Sequence, residues 1–170
     1  GILGLGRIGK AVARRAEVFG LHIGYFDIKP MGDLPYRSYA TLIDLAEASD
    51  ILLVACEGGE ANRNAVSAEV IEAIGPGGFL VNTARGPIVD QAALVAALRD
   101  RKLAGAALDV FDGEPQVPAE LIAMENVVLT PHIASSTHET RRAMGDLVYD
   151  NLRAHFAGKP VLTPVPSQLG

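Results

Sequence analysis

Ile2-Leu3-Gly4-Leu5-Gly6-Arg7-Ile8-Gly9 sets a short apolar run, three glycines at G-x-G-x-x-G spacing and the start of an alanine-rich stretch side by side. The glycine pattern gains its meaning from that setting, between a strand and a helix. Gly4 suits a tight turn, Gly6 lets a backbone approach a pyrophosphate, and Gly9 lets helix and strand pack closely. A helix running from Arg7 to Phe19 and stopping at Gly20 offers its first N–H groups to an anion.

Further along, short apolar runs alternate with helical patterns. After Ile2-Leu3, strands are expected at His22–Phe26, Asp50–Ala55, Gly78–Asn82, Gly105–Val110 and Asn126–Leu129. Their apolarity is continuous, as a parallel sheet covered on both faces requires. Helices are expected at Ser38–Ala48 with Ser38 or Thr41 as cap, at Ser67–Ile74, at Asp90–Arg101, and from Ser136 or Thr137 to about Ala157. Ile28–Tyr36 is read as a polar loop with Pro30 and Pro35, and Val161–Gly170, with Pro164 and Pro166, as extended. The order predicts an α/β fold, a Rossmann-type doubly wound parallel sheet in three α/β/α layers.

A length of 170 residues suits one domain and is too short for two full-sized domains with a cleft between them. Hydrophobic residues make up 49% of the chain and charged residues 21%, a balance that excludes general disorder. A net charge of -5 leaves no basic field for nucleic acid or an anionic membrane. Cys56 is the single cysteine, so no internal disulfide or cysteine zinc cluster forms. His22, His138 and His155 lack the spacing to carboxylates or Cys56 that a metal site needs, and none is expected. With no run of ~18 apolar residues and no charged leader, a cytoplasmic protein of a reducing compartment is expected.

Ligands of open parallel sheets sit outside the carboxyl ends of the strands, which singles out the residues just past them. Asp27, twenty-one residues after Gly6, suits an adenosine ribose diol. Its charge repels a 2′-phosphate and favours NAD over NADP, although Lys29 stands close. Past the fourth strand lies Thr83-Ala84-Arg85-Gly86, past the fifth Asp109-Val110-Phe111-Asp112-Gly113-Glu114-Pro115, and past the sixth Thr130-Pro131-His132-Ile133-Ala134-Ser135. The guanidinium of Arg85 suits bidentate binding of a carboxylate. A protonated His132 suits delivery of a proton to a reduced carbonyl oxygen, and Glu114 suits orienting that imidazole.

These motifs, with Val81-Asn82-Thr83-Ala84-Arg85-Gly86, Leu108-Asp109-Val110-Phe111-Asp112-Gly113-Glu114-Pro115 and Asn126-Val127-Val128-Leu129-Thr130-Pro131-His132-Ile133 as the most specific, resemble the nucleotide-binding domain of the D-isomer-specific 2-hydroxyacid dehydrogenases. Within it, the glyoxylate, hydroxypyruvate and hydroxyphenylpyruvate reductases are the nearest in flavour. The resemblance implies reduction of a 2-oxo acid to the D-2-hydroxy acid with NAD(H). It implies Arg85, Glu114 and His132 as the catalytic set. Gly4, Gly6, Arg7, Ile8, Gly9 and Asp27 bind cofactor on the same reading. Thr83, Ala84, Arg85, Asp109, His132, Ala134 and Ser135 then line its nicotinamide side. Cys56-Glu57-Gly58-Gly59 departs from the Cys-Pro that related chains often carry, which predicts slightly altered cofactor contacts.

The expected organisation is a dinucleotide-binding domain at 1–135, a long helix at 136–160, and an extended segment at 161–170 returning toward a substrate domain absent from this chain. The chain alone is then expected to bind dinucleotide and to catalyse poorly or not at all. The resemblance also suggests a homodimer joined through this domain. The alternatives are a non-enzymatic NAD-sensing scaffold, a stand-alone dinucleotide-binding module, or a relative acting on formate or phosphite.

Overall fold

The computed structural model describes residues 1–29, 32 and 34–165. Among the described residues seven strands, β1 (Ile2–Leu3), β2 (Gly24–Phe26), β3 (Arg37–Ser38), β4 (Ile51–Val54), β5 (Phe79–Asn82), β6 (Gly105–Leu108) and β7 (Val127–Leu129), form one sheet in the order β3-β2-β1-β4-β5-β6-β7. Every pairing is parallel. Chain order therefore reverses between β1 and β4, the point at which a doubly wound sheet opens its ligand crevice. The helices are α1 (Arg7–Val18), α2 (Leu42–Glu47), α3 (Ala68–Ile74), α4 (Gln91–Arg99), α5 (Ala119–Ala123) and α6 (His138–Phe156). The chain divides into two compact units, Gly1–His132 and Ile133–Gly170.

Four of the helices begin where a side chain satisfies their first amides. Thr41, Ser67, Asp90 and Thr137 each accept a hydrogen bond from the backbone N–H three residues on, in Asp44, Val70, Ala93 and Thr140. Gly20, Gly75 and Gly158, just past α1, α3 and α6, hold φ of 75°, 79° and 69°. That left-handed turn stops a helix cheaply only at glycine.

Two readings of the elements need correction. Ser38 does not start a helix: with Arg37 it forms the edge strand β3, paired with Gly24 and Tyr25, and α2 begins only after Thr41. Two residues between a proline-bearing loop and a helix carry too short a pattern to show period two. The helix α5 falls in a stretch to which no element had been assigned. Pro30, in the loop read at Ile28–Tyr36, lies outside the described residues, as does 166–170 of the terminal segment. Within the second unit, Thr163 N–H donates to Asn151 Oδ1 at 3.1 Å and Asn151 Nδ2 donates to Thr163 Oγ1 at 3.0 Å, tying that segment to α6.

Alternation along the strands separates two cores. Leu3, Leu52, Val54, Leu80 and Leu108 face α2, α3 and α4, which supply Leu45, Ile71, Leu94 and Leu98 to one large buried cluster. Ile2 and Tyr25 face the other way and pack with Leu5 and with Ala13 of α1. The register puts Leu53, Val81, Ala107 and Val128 in the same row as Ile2. On that face Ile51, Phe79 and Val128 stay exposed, at 42%, 47% and 64%, so it is covered less fully than the other.

Leu80 and Phe79 are neighbours on β5 with opposite surroundings, and they give a direct test. Leu80→Ala should lower the stability of the chain by about 2–5 kcal/mol, the cost of emptying a closed core site. Phe79→Ala should cost less than half as much. Urea midpoints of the two variants check this, and equal losses would contradict the one-sided core.

Candidate active site

All the residues singled out beyond the strands, up to His132, come from one edge of the sheet. Gly4 has φ 89°, and a Cβ there would meet the Cα of Cys56 at 2.5 Å. A Cβ on Gly9 would collide with the carbonyl oxygen of Gly4, so the loop and the first turn of α1 touch through backbone. A Cβ on Gly6 would meet nothing within 4 Å. Gly6 is instead the N-cap of α1, with no side chain capping the helix and no acidic residue in its first turn. Arg7 and Ile8 follow it, both exposed. Beside this loop lies a cavity of about 230 Å³ lined by Gly4, Gly6, Asp27, Lys29 and Cys56 among others. An uncapped helix end, open space over Gly6 and an adjoining cleft fit a dinucleotide phosphate.

Asp27 follows β2 as expected, but its carboxylate is engaged within the protein. Oδ2 accepts from Leu5 N–H at 2.8 Å and Oδ1 from Lys29 N–H at 2.9 Å. Gly4 N–H donates to the carbonyl of Phe26 at 2.9 Å, so the glycine loop is held twice to the end of β2. Cys56 is a lining residue that sequence reasoning did not place in the site. Burial raises its thiol pKa, so it stays neutral.

At the far side, Glu114 and His132 meet. Nδ1 of His132 lies 2.8 Å from Oε2 of Glu114, while Phe111 N–H donates to Oε1 at 3.0 Å. The hydrogen bond from His132 lowers the Glu114 pKa most, followed by that from Phe111, with the charges of His132 and Arg85 adding to the same direction. His132 itself holds φ 54°. A left-handed backbone of this kind costs a non-glycine residue about 1–3 kcal/mol. Such a conformation aims the imidazole where a relaxed backbone would not.

Arg85 is exposed, and its Nη1 donates to the carbonyl of Ala84 at 2.6 Å. Among the described residues no carboxylate pairs with its guanidinium. A Cβ on Gly58 would meet Arg85 Cγ at 2.6 Å, so this glycine, one residue past the Glu57 that replaces the expected proline, makes room for the arginine stem. Thr83 is half-buried and Ala84 buried. Asp109, 5% exposed, accepts a hydrogen bond from Thr130 Oγ1 at 2.6 Å. Ala134 and Ser135 belong to the second unit. No group of three or more potential metal ligands occurs among the described residues.

Two supporting side chains were not anticipated. Asn82, 1% exposed, accepts from Ala84 N–H and donates to the carbonyl of Arg85, both at 3.0 Å, and so shapes the turn that presents the arginine. Gln91 accepts from Asp112 N–H at 3.1 Å and holds the loop that carries Glu114. An amide at the end of an apolar strand was the only available signal for Asn82; Gln91 gave none, because its partner is distant in sequence.

Residues 1–134 match the family of the D-isomer specific 2-hydroxyacid dehydrogenases, NAD binding domain. The chain is 55% identical over 167 residues to glyoxylate/hydroxypyruvate reductase A of Arabidopsis thaliana, covering 97% of this chain and 53% of that protein. It is 53% identical to hydroxyphenylpyruvate reductase of Plectranthus scutellarioides, again over 97% of this chain and 53% of the relative. A crystal structure of NADPH-dependent glyoxylate/hydroxypyruvate reductase from Sinorhizobium meliloti, in complex with NADP and malonate, superposes with a TM-score of 0.95 at 49% identity, over 97% of this chain and 52% of that one. The chain thus spans about half the length of the proteins it matches.

The expected preference for NAD over NADP, drawn from Asp27, is overturned by that NADP complex of so similar a protein. Both oxygens of Asp27 accept backbone hydrogen bonds, so its position after β2 does not by itself decide the nucleotide. The glycine loop, the parallel sheet and the Glu114–His132 pair agree with the family match, and the chain belongs to the D-isomer specific 2-hydroxyacid dehydrogenases through their NAD-binding domain.

Proposed function

We propose that this chain is the dinucleotide-binding part of a reductase that converts a 2-oxo acid such as glyoxylate or hydroxypyruvate to its D-2-hydroxy acid. The observation that carries the proposal is the 2.8 Å contact between His132 and Glu114, at the same sheet edge as the uncapped glycine loop. The residues that would hold a nicotinamide dinucleotide are Gly4, Gly6, Arg7, Ile8 and Gly9 at the phosphates, Asp27 beside them, and Thr83, Ala84, Asp109 and His132 toward the nicotinamide. When bound, that group supplies the hydride.

The chain's own residues do the rest. Arg85, with no carboxylate partner among the described residues, binds the substrate carboxylate through its planar guanidinium and orients the adjacent carbonyl. Glu114 takes Nδ1 of His132, which fixes the ring and leaves Nε2 to deliver a proton to the carbonyl oxygen as it gains charge. Glu114 stays ionised to below the usual glutamate range, so at neutral pH its carboxylate is present to orient the ring. Division at residue 135 between the dinucleotide domain and a helix leading to a substrate-binding part belongs to the same proposal. So do assembly as a homodimer through this domain and a cytoplasmic location. Among the described residues no helix is long and apolar enough to cross a membrane.

The test is NADH and NADPH oxidation by the full-length protein with glyoxylate, hydroxypyruvate, hydroxyphenylpyruvate and pyruvate. Turnover of none of them above background would sink the proposal. His132→Ala should lower kcat about 10²–10⁴-fold, the usual worth of a positioned acid, with a much smaller change in dinucleotide Kd. A collapse of dinucleotide binding instead would make His132 structural.

The electrostatics of the pair give a second prediction. A folded-state pKa below the unfolded one stabilises the fold at neutral pH, and that contribution is lost as pH falls through the depressed value. An NMR titration of the Glu114 carboxyl should therefore find its midpoint below the usual glutamate range. His132→Ala should move it upward, since the histidine bond is the largest cause of the depression. An unchanged midpoint would show the pair to be unformed in solution.

A further inference from the structure

Gln91 grips both backbone groups of one residue in the loop that carries Glu114. Its Oε1 accepts from Asp112 N–H at 3.1 Å, and its Nε2 donates to the Asp112 carbonyl at 3.4 Å. Only an amide offers an acceptor and a donor together; a carboxylate accepts alone and an ammonium donates alone. Gln91 opens α4, a helix already capped by Asp90, which accepts from Ala93 N–H at 3.0 Å. Its side chain therefore has no capping duty. The segment leading into α4 is firmly bonded as well. Asn64 N–H donates to Pro87 O at 2.8 Å, Val66 N–H to Ile88 O at 2.9 Å and Asp90 N–H to Val66 O at 3.0 Å. The Asp112 carboxylate has its own partner in Arg63 at 3.4 Å, but both side chains are exposed. An exposed pair of that kind contributes about 0–1 kcal/mol, so the part-buried bonds to Gln91 are the stronger hold.

Resting on the reading that His132 and Glu114 deliver the proton, we infer that Gln91 is a positioning residue for that pair, its amide fixing the turn from Phe111 to Glu114. Within that turn Phe111 N–H donates to Glu114 Oε1 at 3.0 Å, which leaves Oε2 to meet Nδ1 of His132 at 2.8 Å. A Cβ on Gly86 would strike the Phe111 carbonyl and the Asp112 nitrogen. That contact limits how near the peptide comes to the Arg85 turn, and the bonds to Gln91 keep it from drawing away. Without them the Phe111 bond loosens, the carboxylate turns about its side-chain torsions, and the imidazole loses its fixed orientation. Arg85 is held separately, by the two 3.0 Å bonds of Asn82 to its turn. Loss of the Gln91 amide thus spares binding of the substrate carboxylate and strikes the proton transfer.

The test uses the full-length protein and Q91M, which keeps the length of the side chain without its amide. With glyoxylate or hydroxypyruvate as substrate, kcat should fall about 10–100-fold, the scale of a slightly misplaced catalytic group, while KM and dinucleotide Kd stay within about threefold. A second readout needs no turnover. In protein carrying isotope-labelled histidine, the Nδ1–H of His132, assigned by its loss in His132→Ala, lies downfield because of its charge-assisted bond to Glu114. Q91M should move that resonance upfield and speed its exchange with water. Q91E keeps an acceptor for Asp112 N–H and loses the donor, so it should fall between the two, and it decides the matter should Q91M not fold. The inference is overturned if kcat or the resonance is unchanged. It is overturned equally if KM and Kd rise as much as kcat falls, the mark of a general loosening. Absence of turnover by the unaltered protein would instead sink the proposed reaction, while the resonance would still report whether Gln91 holds the pair.

Discussion

Among the described residues seven parallel strands share one sheet, which gathers the loops after them at one edge. A parallel strand cannot return through a tight turn, so each connection crosses back over the sheet and the carboxyl ends of all strands share an edge. Ile2, Leu53, Val81, Ala107 and Val128 form one row across that sheet, and the loops follow a few residues later. The ladder even outlasts the strands: Ala55 N–H donates to Leu3 O at 2.8 Å, Asp109 N–H to Asn82 O at 3.0 Å, and Thr130 N–H to Leu108 O at 2.9 Å. Each bond hands the register of one strand to the loop of the next. Arg85, Glu114 and His132 are far apart in sequence and near in space for that reason.

What the sequence revealed depended on whether a feature was local. Glycine spacing, the caps at Thr41, Ser67, Asp90 and Thr137, and the glycine stops after α1, α3 and α6 each involve a few consecutive residues, and all could be read directly. The Glu114–His132 contact was also legible, because the parallel-sheet rule converts sequence position into a shared edge. By contrast β3 has two residues, and its existence depends on Gly24 and Tyr25 offering an edge. The clamp on Asp27 depends on Leu5, twenty-two residues away, and nothing in either residue announces the other. Asp27 lies just past β2, as its place in the sequence predicts, but an acid at that position says nothing about which backbone amides its carboxylate accepts from.

The same distinction explains why the site has polar supports that its own residues do not suggest. Arg85 is presented by a turn that Asn82 holds with two bonds, and Glu114 by a loop that Gln91 fastens through Asp112. A Cβ on Gly86 would strike the backbone of Phe111, so these two loops approach more closely than any side chain allows. Among the described residues no buried side-chain nitrogen or oxygen lacks a hydrogen bond. In a region of low dielectric a fully satisfied network is stiff, and a missing partner is costly. That stiffness suits a histidine held at φ 54°. Its strained backbone requires surroundings that determine it from several directions.

The two halves of the crevice are held by different forces. Behind Arg85 and Glu114 lies the large cluster shared by α2, α3 and α4, where apolar burial dominates. The helix that follows the glycine loop buries only Gly9 and Ala13. At ~25 cal/mol per Å² of apolar surface, two such small residues anchor α1 weakly. Close backbone contact and hydrogen bonds must then hold the loop: Gly9 against Gly4, Gly4 against Cys56, and the Phe26 carbonyl and Asp27 carboxylate on the loop amides. Larger residues at Gly4 or Gly9 would bury more surface but would push strand and helix apart. A loop built to bring its backbone to a phosphate gives up the apolar side chains that ordinarily secure a helix, and the carboxylate of Asp27 supplies the attachment in their place.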